Sequence, residues 1–309
     1  MFVFDIELAA PCNAKCDFCP QSFKPTGVER DVKFLDEDLL VRIMNQIKDI
    51  AKSQPRTLNR SGVIVDFCGM GENLLRKDLL LKAIKILTKD RPPKLDIRLT
   101  TNGFLLREEL VKNPLFKEIN QIEISTAHTL DKDKYEAIYN LNYDVVLNNI
   151  MNLRKHYPGK IVMATVRVKQ LKDDMNEWKE FWSAYSDDFL IHDFHTRGNE
   201  FTHPNPDKEK YWRFDICGIF RHFIYISSDG LVLPCCNDVR GKHPVGDLRK
   251  ESILSIIERK KEIQKLNKGY DICVGCDAGE LMIKESDTKD EFDMPWLERE
   301  INDKKRTTK

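Results

Sequence analysis

The pattern of hydrophobic and polar positions predicts that strands and helices alternate six times over the first two thirds of the chain. Short apolar or alternating runs typical of strands lie at Phe2–Leu8, Val63–Phe67, Leu95–Leu99, Gln121–Thr126, Ile161–Val168 and Phe189–Phe194. Apolar residues at helical spacing lie between them, at 36–52, 78–89, 105–113, 131–139, 143–156 and 175–185. This alternation, with right-handed crossovers, predicts an α/β fold whose parallel strands close, or nearly close, into a barrel.

The pattern changes after the sixth strand. A polar stretch with two prolines, Thr196–Lys210, marks a boundary. Beyond it, apolar runs at Phe223–Ser227 and Leu231–Pro234 predict a hairpin, and Glu251–Leu266 has the periodicity of an amphipathic helix. We therefore predict a barrel domain, a small hairpin–helix module and a charged tail, at residues 1–205, 206–286 and 287–309.

The composition narrows the classes of partner. The 309 residues include 50 basic and 50 acidic residues, so the formal net charge is zero. No overall field attracts nucleic acid or anionic lipid, and we expect neither as a partner. Residues 1–10 contain Asp5 and Glu7, which excludes a signal peptide, and no run approaches the roughly 18 apolar residues of a membrane span.

The cysteines indicate metal binding. Their number is nine, which is odd, and their tight spacing in a long chain favours metal ligands in a reducing cytoplasm over disulfides. Cys12, Cys16 and Cys19 fall within eight residues directly after the first predicted strand. A cubane iron–sulfur cluster normally takes four cysteines, so three local thiols leave one iron open to a ligand that is not protein. A zinc loop or structural cysteines are the alternative.

The spacing Cys12-x3-Cys16-x2-Cys19 resembles the signature of the radical S-adenosylmethionine (SAM) superfamily. The resemblance implies a partial (β/α)6 TIM-like barrel and a [4Fe-4S] cluster whose open iron is chelated by SAM. It also implies reductive cleavage of SAM to a 5′-deoxyadenosyl radical, which abstracts a hydrogen atom from the substrate. The cysteine loop lies after a strand, where such barrels carry their active sites.

A glycine-containing segment after the second strand extends the resemblance. Gly69-Met70-Gly71-Glu72-Asn73 stands where the superfamily has Gly-Gly-Glu-Pro, so Gly71 and Glu72 match and the proline is lost. The resemblance implies that this segment meets the amino group of SAM. An ordinary turn with a helix-capping glutamate is the alternative.

Other candidate SAM contacts lie in the cysteine loop and near the ends of later strands. The positions that match the superfamily are Phe18, Thr100, Asn102, Ser125 and Arg167. The resemblance places Phe18 near the adenine, and hydroxyls and amides suit the ribose and the methionyl carboxylate. Arg167, predicted inside the fifth strand, suits the SAM carboxylate as a bidentate partner. Packing, turn formation and a surface arginine are the alternatives.

A second set of cysteines lies in the C-terminal part. Cys217 and Cys235 are followed by the pair Cys273 and Cys276, and four thiols satisfy a complete cubane. The spacing resembles the twitch module, a shortened form of the SPASM extension, which implies an auxiliary [4Fe-4S] cluster. A structural zinc is the alternative.

Two residues are candidates for contact with the substrate. Cys236, facing the barrel, could donate a hydrogen atom to a substrate radical, whereas in the module core it is a small hydrophobe. Arg197 resembles an arginine in the substrate-side loop of twitch dehydrogenases such as the butirosin-pathway amino-cyclitol dehydrogenase, where it would bind substrate hydroxyls. Cys68 is expected to fill the core.

The resemblance predicts a radical SAM oxidoreductase that dehydrogenates a sugar or amino-cyclitol alcohol, with the auxiliary cluster as electron acceptor. The alternative within the family is a radical epimerase of a sugar or peptide with Cys236 as hydrogen donor. Outside it, the alternative is a non-catalytic zinc-binding protein. We expect a small-molecule substrate, since no leader-binding domain has room before Cys12, and an external reductant such as flavodoxin or ferredoxin.

Overall fold

The computed structural model describes residues 2–22, 34–53, 62–127, 129–167, 175–192, 194–197, 214, 217–274 and 276. The strands are β1 (Phe2–Ile6), β2 (Val63–Phe67), β3 (Leu95–Thr101), β4 (Gln121–Ser125), β5 (Lys160–Val166), β6 (Asp188–His192), β7 (Phe223–Ile226), β8 (Leu231–Leu233) and β9 (Gly246–Asp247). The helices are α1 (Glu37–Ser53), α2 (Lys77–Thr88), α3 (Glu108–Val111), α4 (Lys132–Tyr139), α5 (Tyr143–His156), α6 (Met175–Trp182), α7 (Gly218–His222) and α8 (Ile253–Lys265).

The strands of the described residues form one sheet, in the order β6-β5-β4-β3-β2-β1-β7-β8-β9. From β1 to β6, each strand lies parallel to the next along the chain. With helices in the crossovers, this confirms the predicted partial six-stranded α/β barrel. The carboxyl ends of the six strands, and the loops that leave them, lie at one edge.

The C-terminal hairpin continues the barrel sheet. Strand β7 pairs in parallel with β1, and β8 and β9 follow it in antiparallel order. Helix α8 packs on α1, where Ile253 N donates to Gln46 Oε1 at 2.9 Å. Gly230 turns the hairpin with φ +79°, and a Cβ there would lie 2.5 Å from Leu39 Cδ2. The predicted hairpin–helix module is confirmed, and it is joined to the barrel through β1 and α1.

The two faces of the barrel strands differ sharply. Phe4 and Ile6 of β1 are fully buried in the hydrophobic core. Asp5 lies between them, on the opposite face of the strand. It pairs in register with Asp66 on β2, which pairs with Arg98 on β3. Since the apolar face packs on the helices, this charged row faces the barrel interior.

Some boundaries differ from the predicted ones. β5 ends at Val166, so Arg167 lies beyond the strand, and the helical pattern after Leu105 forms only the short α3. Most of the predicted boundary segment and the tail lie outside the described residues, so the domain limits stay a prediction. Within the described part of the chain, the helices are too short or too polar to cross a bilayer.

Candidate active site

The first cysteine loop leaves the end of β1 and rests on the end of α4. Lys15 N donates to the carbonyl oxygen of Tyr139, the last residue of α4, at 3.1 Å. Cys19 N donates to Cys16 O at 2.9 Å, which closes a turn between the last two cysteines. The loop is therefore held by backbone contacts that leave its thiols available.

The thiols of this loop suit a metal better than nucleophilic catalysis. Burial raises the pKa of Cys12 to about 11, and burial followed by the neighbouring thiols raises the pKa of Cys16. Ala14 N and Asn102 Nδ2 point at Cys12 Sγ, from 3.4 and 3.8 Å. A buried thiol with a raised pKa is a poor nucleophile, but a soft metal displaces its proton.

The segment after β2 packs tightly against the cysteine loop. Glu72 N donates to Pro11 O at 3.0 Å. A Cβ on Gly71 would lie 2.2 Å from the carbonyl oxygen of Ala9, so no larger residue fits without a shift of the backbone. The close approach at Gly71 is to the chain that carries Cys12, and its contact with SAM stays a prediction.

The Glu72 carboxylate is a buried hub for hydrogen bonds. It accepts from Leu74 N at 3.0 Å, from Thr101 Oγ1 at 3.0 Å and from Asn102 N at 2.9 Å. Asn102 in turn donates from Nδ2 to Asn13 Oδ1 at 2.9 Å. Glu72 therefore fixes the turn after β3 against the cysteine loop, and direct contact of Glu72 or Asn102 with SAM stays a prediction.

Glu7 connects the end of β1 to both halves of the chain. Its carboxylate accepts from Met70 N at 2.8 Å and from Ser228 N, in the module hairpin, at 3.1 Å. A Cβ on Gly69 would lie 2.7 Å from the Glu7 side chain. One acidic side chain thus ties the glycine segment and the hairpin to the strand before the cysteine loop.

Phe18 and Ser125 meet at the same tyrosine. Phe18 packs edge-on against Tyr139, with ring centroids 5.7 Å apart. The Ser125 side chain hydrogen-bonds the Tyr139 hydroxyl. The structure therefore brings the cysteine loop and the end of β4 together, and contact of Phe18 or Ser125 with SAM stays a prediction.

Thr100 and Arg167 occupy different surroundings. Thr100 Oγ1 lies 3.5 Å from Asp66 Oδ1, in the barrel interior. Arg167 is exposed, and its N–H donates to His192 O at 2.8 Å. The expectation that Arg167 lies inside β5 is wrong, because the strand ends one residue earlier, and its pairing with SAM stays a prediction.

The four C-terminal cysteines converge near α7 and the end of β8. Cys217 caps α7, and its sulfur accepts a backbone N–H of the first turn at 3.5 Å. Burial raises the pKa of Cys235, and the thiols of Cys236, Cys273 and Cys217 are close enough to raise it further. Cys276 N donates to Cys273 O at 3.2 Å. The four predicted auxiliary ligands therefore form one group.

The spacing of the sulfurs fits a cluster better than a single zinc ion. With Zn–S bonds of about 2.3 Å, tetrahedral zinc holds its sulfurs roughly 3.8 Å apart. Among the described residues, the one group of three or more possible ligand atoms within 4.8 Å of one another is Asp5, Asp66 and Cys68. Neither predicted cysteine set is that compact. A cubane binds its cysteines on separate irons, so it does not require them to converge on one metal atom.

Cys236 and Arg197, the two candidate substrate contacts, touch each other. Arg197 Nη1 lies 3.8 Å from Cys236 Sγ. The guanidinium is also close enough to Cys19 to lower the pKa of that thiol, which burial raises. Tyr225 on β7 hydrogen-bonds both Cys236 and Asp5. Cys236 therefore faces the barrel interior, between the two cysteine sets.

Carboxyl groups that the sequence pattern did not assign to the site line the barrel interior. Burial, followed by the charge of Asp66, raises the pKa of Asp5 to about 8, and burial raises that of Asp66 to about 6. Burial also raises the pKa of Glu123 to about 7. Cys68, expected to fill the core, hydrogen-bonds Asp5. An acidic residue at an alternate position of an otherwise apolar strand, as at Asp5, is the signal that could have found this set.

Two curated proteins resemble this chain in sequence. RlmN of Pseudothermotoga lettingae, named as a dual-specificity RNA methyltransferase, is 25% identical over 166 residues, 52% of this chain and 45% of that protein. The chain thus spans less than half the length of RlmN. YydG of Bacillus subtilis, named as a peptide biosynthesis protein, is 23% identical over 318 residues, 94% of this chain and 86% of that protein.

Solved structures share the fold. BtrN in complex with AdoMet and 2-DOIA has a TM-score of 0.55 at 18% identity, with 90% of this chain and 93% of that chain covered. anSMEcpe with bound AdoMet has a TM-score of 0.64 at 16% identity, with coverage of 91% and 84%. At these identities the likeness is one of fold.

Family models match both halves of the chain. The Radical SAM superfamily model matches residues 6–181, more than half of the sequence, and includes Cys12, Cys16 and Cys19. The iron–sulfur cluster-binding domain model, SPASM, matches residues 217–277 and includes the four auxiliary cysteines. Both thiol sets fit [4Fe-4S] clusters, and SAM completes the first. The chain belongs to the radical SAM superfamily and carries a C-terminal iron–sulfur cluster-binding domain.

Proposed function

We propose that this radical SAM enzyme inverts a stereocentre of a peptide substrate, with Cys236 as the hydrogen-atom donor. The observation that carries the proposal is the position of the Cys236 thiol, 3.8 Å from Arg197 Nη1 and hydrogen-bonded to Tyr225. The adjacent Cys235 lies with the auxiliary ligands. Cys236 also lies near Cys217 and Cys235, and its contact with Arg197 at 3.8 Å supports the role of a donor over that of a small hydrophobe in the module core.

The chemistry divides between cofactors and protein. When bound, the first cluster with SAM supplies abstraction of a hydrogen atom from a substrate carbon. Cys236 then breaks its S–H bond homolytically and forms a C–H bond on the opposite face of the planar carbon. A thiyl radical remains on sulfur, and one electron from an external reductant with one proton restores the thiol. The substrate is neither oxidised nor reduced.

Arg197 is suited to hold the substrate beside the donor. Its guanidinium offers five N–H donors and lies near both Cys19 and Cys236. The residue has φ +51°, a left-handed conformation that non-glycine residues adopt rarely and often at functional sites. A carbonyl oxygen bound there would bring the neighbouring carbon close to the Cys236 thiol.

The assignment of a peptide as substrate is supported by one sequence relative. YydG, named for peptide biosynthesis, aligns over 94% of this chain and so includes the barrel and the auxiliary module. The polar barrel interior supplies groups that bind backbone amides, since carboxylates accept from N–H and Arg197 donates to carbonyl oxygens. The zero net charge does not favour an RNA substrate.

Dehydrogenation of a sugar or amino-cyclitol alcohol is the second candidate. It requires a base for the proton that leaves the substrate radical and an acceptor for the electron. Asp66 and Glu123 have pKa values of about 6 and about 7, which suit a base at neutral pH. The auxiliary cysteine set supplies the site of the acceptor.

Isotope labelling separates the two reactions. The reconstituted enzyme is incubated with SAM and dithionite, in H2O and in D2O, and with one of two substrates, a synthetic peptide or an amino-cyclitol alcohol. Epimerisation leaves the peptide mass unchanged in H2O and adds one deuterium at the inverted carbon in D2O, because the Cys236 proton exchanges with solvent. Dehydrogenation lowers the mass by two hydrogens in both solvents.

The Cys236→Ala variant tests the donor directly. We expect it to retain 5′-deoxyadenosine formation and to lose the D-configured product. Unchanged formation of that product, or an oxidised product in the wild-type reaction, contradicts the proposal. Cys68→Ala is the matched control, since that thiol also lies close to Tyr225 but hydrogen-bonds Asp5.

A further inference from the structure

Lys260 of α8 is a buried lysine beside the auxiliary cysteines. The residue is 3% exposed, and its ammonium donates to Phe223 O at 2.8 Å. It also lies 4.5 Å from the centroid of the Phe220 ring. Burial lowers the pKa of Lys260 to about 7. The thiols of Cys235 and Cys217 are near enough to oppose part of this shift.

The protein supplies no carboxylate for this ammonium within the described residues. Lys261, the next residue, has such a partner, because its Nζ lies 3.2 Å from Glu258 Oε1. The partners of Lys260 are a carbonyl dipole and an aromatic face, which attract a cation but carry no net charge. A buried charge without an opposite charge is costly. The Cys217 sulfur, which accepts the backbone N–H of Phe220 at 3.5 Å, supplies a negative charge nearby when it is a thiolate.

We propose that Lys260 raises the reduction potential of the auxiliary cluster by placing a positive charge beside Cys217 and Cys235. Reduction adds one electron to a centre that four thiolates already make negative. In its protonated form, Lys260 is a cation within the protein interior, and it stabilises the reduced form more than the oxidised form. The inference needs the auxiliary cluster but not the role proposed for Cys236, so either one can fail alone.

The test is a redox titration of the full-length protein with Cys12, Cys16 and Cys19 replaced by Ala, so that the auxiliary cluster is titrated alone. The reduced cluster is measured by its paramagnetic resonance signal. Lys260→Gln removes the charge but keeps an N–H donor for Phe223 O, and Lys260→Arg keeps the charge. Lys261→Gln, on the same helix, is the matched control.

At a fixed potential, we expect Lys260→Gln to lower the ratio of reduced to oxidised cluster at least tenfold, equivalent to about 59 mV for one electron. Lys260→Arg and Lys261→Gln should stay within threefold of the parent protein. An unchanged ratio in Lys260→Gln, or an equal loss in Lys260→Arg, overturns the proposal. Loss of cluster iron from Lys260→Gln also overturns it, because the lysine then serves assembly of the site.

Discussion

The Arg197 guanidinium lies 3.8 Å from the Cys236 thiol, and this contact spans the open seam of the barrel. Arg197 follows β6, which ends one edge of the sheet, whereas Cys236 follows β8 near the other edge. The sheet order alone would keep these residues far apart. Curvature of the partial barrel brings them together.

The first prediction concerns Arg197 itself. Arg197→Gln should lower kcat/KM for the substrate tenfold to about a hundredfold, because a charge-assisted hydrogen bond of about 1.5–3 kcal/mol is lost. Formation of 5′-deoxyadenosine without substrate should continue, since the first cysteine set is intact. Steady-state product analysis by chiral chromatography checks both.

The control for this variant is Arg154→Gln. Arg154 is exposed on α5, pairs with Asp187 at 2.9 Å, and should tolerate the change with wild-type kinetics. If Arg197→Gln has the wild-type kcat/KM, Arg197 does not bind the substrate.

The second prediction concerns the contact between Gly71 and the cysteine loop. A Cβ at Gly71 would lie 2.2–2.5 Å from three consecutive carbonyl oxygens, of residues 9 to 11. Gly71→Ala must therefore displace the chain that carries Cys12. We expect the iron content after reconstitution to fall from about eight to about four per chain, with the auxiliary cluster retained.

Gly62→Ala is the matched control for Gly71→Ala. Its nearest neighbour would be 3.4 Å from the new Cβ, an ordinary contact, so iron content should not change. Full iron loading in Gly71→Ala would show that the loop yields without affecting the cluster.

The sequence predicted the barrel and both cysteine sets because each has a local signal. Strands such as Val63–Phe67 are short apolar runs, and ligand spacing along a loop survives without knowledge of the fold. The predicted position of Arg167 inside β5 was wrong, because the apolar run in the sequence continues past the last strand residue, Val166. Strand ends depend on pairing with β6, which no local pattern records.

The side chains that the sequence did not assign to the site take their positions from contacts between distant parts of the chain. Tyr225 joins Cys236 to Asp5 because β7 pairs in parallel with β1, an arrangement that a hairpin pattern does not predict. Lys260 fits the periodicity of an amphipathic helix as a polar position, yet it lies inside the module. Lys260 is buried because helix α8 packs against α7, and the sequence pattern of α8 alone does not predict this contact.

The third prediction concerns the Glu72 hub. Glu72→Gln replaces one acceptor oxygen with an NH2 group that faces donors at Leu74 N, Thr101 Oγ1 and Asn102 N. We expect a loss of about 1–3 kcal/mol in the free energy of unfolding, because a buried donor is left unsatisfied. Denaturant unfolding of the apoprotein measures it. The control is Glu118→Gln, at an exposed side chain, which should lower the free energy of unfolding by less than about 0.5 kcal/mol. An equal loss in the two variants would mean that the hydrogen bonds of Glu72 do not stabilise the fold.

The last prediction concerns the pH dependence of stability set by Asp5. Burial raises its pKa from the ordinary 3.8 of an aspartate to about 8 in the folded protein, so the folded state holds more protons than the unfolded state between about pH 4 and pH 8. The free energy of unfolding must then fall as pH rises through that window, by at most about 1.4 kcal/mol per pH unit for one group.

The Asp5→Asn variant tests this dependence, because its side chain stays neutral at every pH. It should reduce the slope of the free energy of unfolding against pH and stabilise the apoprotein at pH 8 relative to pH 5. Asp66 and Glu123 keep part of the slope. Asp188→Asn, whose carboxyl is exposed and has a lowered pKa, should leave the slope above pH 5 unchanged. Denaturant unfolding at pH 5, 6, 7 and 8 gives the comparison, and a slope in Asp5→Asn equal to that of the wild type would mean that Asp5 is ionised inside the barrel.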